Sequence, residues 1–154
     1  YRSQVDQNTR REIENIIINQ GYKVAAYPTQ LELYPNKDEV IGLGIFSVNY
    51  ETEQIFELNV SCTKYILTNG LTGGAGNCSK ITILYTPKTI EIKPNSDYVY
   101  AVYIKNNAAP MGTYILNARV VVGGDQYGDI QMGSEQPGSN DWRKSPLSHR
   151  CLGQ

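Results

Sequence analysis

The sequence predicts a mainly β protein: an antiparallel β-sandwich of about seven strands behind a short N-terminal helix. Three observations predict it. Apolar and polar residues alternate over short stretches between Tyr22 and Val122, the period of a half-buried strand. Turn-forming pairs such as Pro35-Asn36, Pro94-Asn95 and Asn106-Asn107 separate those stretches. No helical period returns between them, which favours a sandwich over a parallel sheet with crossover helices. A chain of 154 residues suits one domain with a full core. The expected division is a helix over 1–21, a sandwich over 22–123 and a polar extension over 124–154.

The helix is expected over residues 3–20. Val5, Ile13, Ile16 and Ile17 form an apolar stripe at helical spacing among Arg10, Arg11, Glu12 and Glu14, and Gly21 supplies a C-terminal stop. Residues 2–11 are almost entirely polar and would make a weak helix alone. The segment therefore reads as the end of a longer helix, whose apolar part lies upstream and serves as an anchor.

The strands follow in order. Leu31 and Leu33 flank Glu32, and Ile41, Leu43 and Ile45 alternate with Gly42 and Gly44. Phe56, Leu58, Val60 and Cys62 share one face of the next run, with Glu57, Asn59 and Ser61 on the other. Short runs at Ile81, Ile83 and Tyr85 and at Ile90 and Ile92 come before two long ones. Tyr98, Tyr100, Val102 and Ile104 share a face of the first, and Tyr114, Leu116, Ala118, Val120 and Val122 a face of the second. Gly123-Gly124 reads as the end of the last strong strand. The remainder is rich in Gly, Ser, Gln, Asp and Pro. An extended polar tail of this kind is expected to pair with an open sheet edge on a neighbouring molecule.

Composition narrows the function. The formal net charge is −1, so no electrostatic footprint for nucleic acid or an anionic membrane is present. The single histidine, His149, leaves little material for acid–base chemistry near neutral pH. No stretch of about 18 apolar residues exists, so a membrane would be reached only through a segment outside this sequence. The chain opens at Tyr1 without Met, which reads as processing or trimming, with a signal or anchor segment before it. No enzymatic activity, cofactor or metal is expected. His149 and Cys151 lack the further ligands or orienting partner that a zinc site or Cys–His catalysis requires. Gly70 to Gly76 resembles a phosphate-cradling loop only in glycine content, because no helix with a Gly-Lys-Ser/Thr start follows it. Asp38, Glu39, Asp97, Asp125 and Asp129 read as solvated turn carboxylates rather than a calcium set.

Three groups of residues remain as candidate sites. Cys62 and Cys78 bracket a Gly-rich stretch, and a disulfide between them would add roughly 3 kcal/mol by closing that loop. Cys151 is then left over. Asn59-Val60-Ser61 and Asn77-Cys78-Ser79 both fit the N-glycan acceptor pattern, and Asn59 falls on the solvent side of its strand. Tyr98, Tyr100, Tyr103 and Trp142 are candidates for a contact surface, against the alternative of ordinary strand packing for the tyrosines.

The stretch from Thr89 through Val120, with Lys93-Pro94-Asn95 and Ala109-Pro110-Met111-Gly112-Thr113-Tyr114 at its turns, resembles the closing half of prokaryotic immunoglobulin-like surface domains. The likeness is good over 89–122 and loose over 30–122, and it implies an immunoglobulin-like sandwich. A helix leading into such a sandwich also resembles the ectodomains of archaeal pilin-like and archaellum-stator proteins. Together these imply a non-enzymatic structural or adhesive protein at the cell surface or outside the cell. It would act through protein partners, itself included, as a filament subunit or an anchored ectodomain. The other reading is an accessory module binding carbohydrate or protein for a secreted enzyme system, with Trp142 and outward tyrosines as the sugar platform.

Overall fold

The computed structural model describes residues 5–32, 34, 36–67, 72–73, 78–110 and 112–135. Helix α1 spans Gln7–Gln20 and opens at Asp6, whose backbone is extended and whose side-chain carboxylate accepts the Thr9 N–H at 2.7 Å. This N-cap satisfies a donor that the first turn leaves without an intrahelical partner. The helix thus begins at Gln7, four residues later than expected. Gly21 closes it in the left-handed conformation (φ 76°), its N–H bonded to the Ile17 carbonyl at 3.1 Å, as the sequence implied.

Ten strands follow among the described residues: β1 (Val24–Tyr27), β2 (Gln30–Glu32), β3 (Asp38–Phe46), β4 (Gln54–Leu67), β5 (Thr72–Gly73), β6 (Ile81–Leu84), β7 (Thr89–Ile92), β8 (Asp97–Asn106), β9 (Gly112–Val122) and β10 (Asp125–Glu135). They form a four-stranded sheet in the order β1-β3-β8-β6 and a six-stranded one in the order β2-β10-β9-β4, with β5 and β7 on the far edge of β4. Pairing is antiparallel except for β2 with β10, which run parallel. The first, third, eighth and sixth strands occupy the places of strands A, B, E and D of an immunoglobulin sandwich, and β4, β9 and β10 those of C, F and G. The expected immunoglobulin-like sandwich is therefore present in the strand order itself.

The inward faces match the alternation read from the sequence. Ile41, Leu43 and Ile45 of β3 and Tyr100, Val102 and Ile104 of β8 meet Phe56 and Leu58 of β4 and Tyr114, Leu116, Ala118 and Val120 of β9, each at most 1% exposed. The outward face of the four-stranded sheet is also buried, because α1 lies across it. Ile13 and Ile17 pack there with Ala25 and Val99 as a second, smaller core. The glycines of β3 make this possible. A Cβ on Gly42 would stand 2.5 Å from the Ile13 Cδ1 and 2.6 Å from the Thr9 Cγ2, and one on Gly44 would collide with the Ile13 side chain. Their role is close approach, which alternation alone does not reveal.

The sandwich does not end at Gly123. Gly123 and Gly124 have φ of 59° and 88° and join β9 to β10 as a two-residue hairpin, with Val122 facing Asp125. The expected polar extension over 124–154 is corrected here: its residues 125–135 are the G-position strand, paired in cis with β9 along its length. A bulge between Gln126 and Gly128 hides the strand from a period-two reading. Tyr127, Ile130 and Met132 therefore reach the core at uneven spacing. The edge of β9 is thus filled by the chain's own β10. Residues 136–154, with Trp142, His149 and Cys151, lie outside the described residues.

Because Ile13 has no room to retreat, Gly44→Val is expected to destabilise the protein by about 1–3 kcal/mol through overpacking. A urea melt followed by fluorescence measures it; an unchanged midpoint would show that the helix does not sit on β3.

Candidate functional surface

Candidate surfaces are set by which faces the fold leaves open. With α1 across the four-stranded sheet, the open face belongs to the six-stranded one. Glu57, Asn59 and Ser61 of β4 point outward there, in register with Val121, Arg119 and Asn117 of β9. Those pair in turn with Gln126, Asp129 and Gln131 of β10. The central row is Asn59, Arg119 and Asp129, all exposed. Around it the face is polar and uncharged or of mixed sign, which suits solvent or a hydrophilic ligand rather than a dry protein interface. Ile55 (59% exposed) and Ile66 (39%) stand at its two ends.

The edges are treated differently. The outer edge of β4 is shared: β7 pairs with Gln54 to Glu57, and β5 with Tyr65 and Ile66. Between them the ladder is completed by other groups. The Leu58 N–H donates to the Lys88 carbonyl at 2.9 Å, and the Tyr85 hydroxyl accepts from the Val60 N–H at 3.2 Å while donating to the Leu58 carbonyl at 3.1 Å. One phenol thus satisfies a donor and an acceptor that a missing strand would have covered. Beside it the Cys62–Cys78 disulfide, with a Cα–Cα separation of 5.9 Å, ties the middle of β4 to the segment before β6, as the sequence suggested. On the other sheet, β6 is a short four-residue edge whose Leu84 is 42% exposed.

Tyrosine hydroxyls act in the same way elsewhere. Tyr127 accepts from the Val48 N–H at 3.1 Å and donates to the Phe46 carbonyl, holding the chain where β3 ends. Its ring packs edge-on against Phe56 at 5.1 Å, and the Lys23 ammonium lies 4.6 Å from its centre. Tyr114 donates to the Pro110 carbonyl four residues upstream, the tyrosine corner of this sandwich type. The same loop is fastened by Asn106, whose side chain accepts from the Ala109 N–H at 2.8 Å. The Ala-Pro-x-Gly-Thr-Tyr stretch is therefore a structural corner. Its Pro-to-Tyr spacing was the signal for it in the sequence.

The tyrosines proposed as a contact surface stand in different settings. Tyr100 is fully buried and belongs to the core, where it meets Tyr98 at 4.9 Å and Tyr85 at 6.4 Å. Strand packing claims it because its position faces inward. Tyr98 shares that face and is half-buried, while Tyr103 points to the other side of β8. Burial, then the neighbouring phenols of Tyr98 and Tyr85, push the Tyr100 hydroxyl far above its ordinary range. Burial also raises Tyr114 and Tyr127. Asn59 is exposed as expected, whereas Asn77 and Trp142 lie outside the described residues. Asp38, Asp125 and Asp129 are exposed, and among the described residues no three His, Cys, Asp or Glu side chains gather as a metal site.

No protein-family profile and no curated protein matches the chain. It is similar in structure to a PapD-like domain of human CEP192, at 10% identity over 74% of this chain and 84% of that one, with a TM-score of 0.47. A FixG-related protein from Vibrio parahaemolyticus aligns at 9% identity over 74% and 93%, with a TM-score of 0.48. The CsuC-CsuE chaperone–tip adhesion subunit complex of Acinetobacter baumannii aligns at 13% identity over 86% and 60%, with a TM-score of 0.45.

Two measurements follow from the tyrosines. Tyr127→Phe leaves the Phe46 carbonyl and Val48 N–H without their bridge and is expected to cost about 1–3 kcal/mol. Tyr100→Phe removes a buried hydroxyl that has no hydrogen-bond partner among the described residues, so its urea midpoint is expected to stay or rise. Equal losses for the two would contradict these assignments. Because folding raises the phenol pKa values above the unfolded value of about 10, their contribution is complete below that pH and is lost as pH rises beyond it. Absorbance near 295 nm is expected to show exposed tyrosines ionising first and the buried ones only with unfolding.

Proposed function

We propose that the chain is a non-enzymatic extracellular domain that works through protein contacts in a surface structure, either as a filament subunit or as an ectodomain held at the surface. The observation that carries the reading is the Cys62–Cys78 disulfide, since such bonds persist in oxidising compartments and are rare in the cytosol. The fold supports it. The sandwich is completed in cis by β10, and α1 is docked on one face, so a stable body presents its remaining face and edges to partners. Exposed apolar residues sit at those margins: Ile55 and Ile66 at the ends of β4 and Leu84 on the β6 edge. A partner strand added along β6 would satisfy backbone groups that this edge leaves open.

Treatment of intact native cells with a membrane-impermeant amine cross-linker, read by mass spectrometry, tests the reading. Reaction at exposed lysines such as Lys64, Lys80 and Lys88, with links to another surface protein or a second copy, is the expected result. No reaction on intact cells, with reaction after lysis, would overturn the extracellular assignment. Reaction without intermolecular links would overturn the contact assignment.

A further inference from the structure

We infer that Asn59 is an N-glycan acceptor, and that its glycan stands over the centre of the open face of the six-stranded sheet. Asn59-Val60-Ser61 satisfies the acceptor pattern, but that pattern recurs by chance and needs a structural context. The strand provides one. Asn59 and Ser61 are two residues apart on β4, so amide and hydroxyl share the outward face, and both are exposed, while Val60 between them points into the core. On β4 the flanking outward residue is Glu57, and across the ladder Arg119 and then Asp129 continue the row. The nearest outward side chain on β9 starts only about 5 Å away. It is hydrophilic, as a sugar's first residue requires of the surface beneath it. Helix α1 covers the opposite sheet and leaves this face free.

The bond forms between the Asn59 Nδ2 and the anomeric carbon of an oligosaccharide carried on a polyprenyl phosphate or pyrophosphate. The anomeric C–O bond breaks, the lipid phosphate leaves with its electron pair, and the amide gives up one proton. The backbone of Asn59 is locked in a ladder with Arg119 once folded. Transfer therefore belongs to the stage before β4 pairs, and the finished sheet displays the product. A glycan there shields the middle rows of the face from macromolecules. Protein contacts of the domain are then confined to the β6 edge, the far ends of β4 and the loops.

The inference rests on the extracellular reading, and the two fail separately. Routing the chain through the secretory pathway of an N-glycosylating host tests Asn59 as an acceptor whatever the native location, while cross-linking on native cells tests the location. Intact mass and peptide-N-glycosidase release in heavy-oxygen water are read for the parent chain and for Asn59→Gln, Ser61→Ala and Ser61→Thr, beside a control glycoprotein. The expected result is one oligosaccharide mass and heavy-oxygen label at position 59, both lost in Asn59→Gln and Ser61→Ala and kept in Ser61→Thr. An unmodified Asn59 while the control is glycosylated overturns the inference, as does label confined to Asn77.

Discussion

The docking of α1, and with it the covering of one sheet, depends on how Ile13 and Ile17 sit over Gly42 and Gly44. A 14-residue helix with a polar first half is marginal in water on its own. Full burial of each isoleucine contributes about 1.5–3 kcal/mol, which is what holds the helix in place. The contact requires two residues without side chains on β3 and small ones beside them, Ala25 and Val99. It also buries both faces of one sheet, so the broad exposed face belongs to the other. The asymmetry of the domain, one face covered and one open and polar, comes from this packing.

The unusual aromatic composition has a second structural explanation. The chain has 12 tyrosines but two phenylalanines and one tryptophan. Three of the tyrosines place the ring in the core and the hydroxyl on backbone groups that no strand covers: Tyr85 on β4, Tyr127 beyond β3 and Tyr114 at the corner before β9. A phenylalanine would fill the same volume and leave those groups desolvated without partners. Tyr100 is the exception, buried with no hydrogen-bond partner for its hydroxyl among the described residues.

The alternation of β3, β4, β8 and β9 was legible because those strands are long, each with one face in the core, and that was enough for the sandwich and for the outward side of Asn59. Four features were not. Strand β10 was hidden by its bulge, and the hairpin glycines before it read as a terminus. The short strands β1 and β5 carry too few residues to show a period. The helix start was misplaced because a side-chain cap at Asp6 leaves no periodic trace. The contact tyrosines were misread at Tyr100, since a tyrosine at an inward position looks the same in sequence as one at an interface. The disulfide was legible from the cysteine spacing and the Gly-rich stretch between the two cysteines.

These features converge on one folded body, with α1 and β10 completing the domain in cis. The central claim is that the helix and the sandwich are one cooperative unit. Native-state hydrogen exchange of the helix amides tests it most directly. The account expects the amides of Ile13 and Ile17 to open with the same free energy as that of Val102 in the middle of β8. Exchange at Ile13 and Ile17 far faster than at Val102, under conditions where the sandwich stays folded, would contradict it.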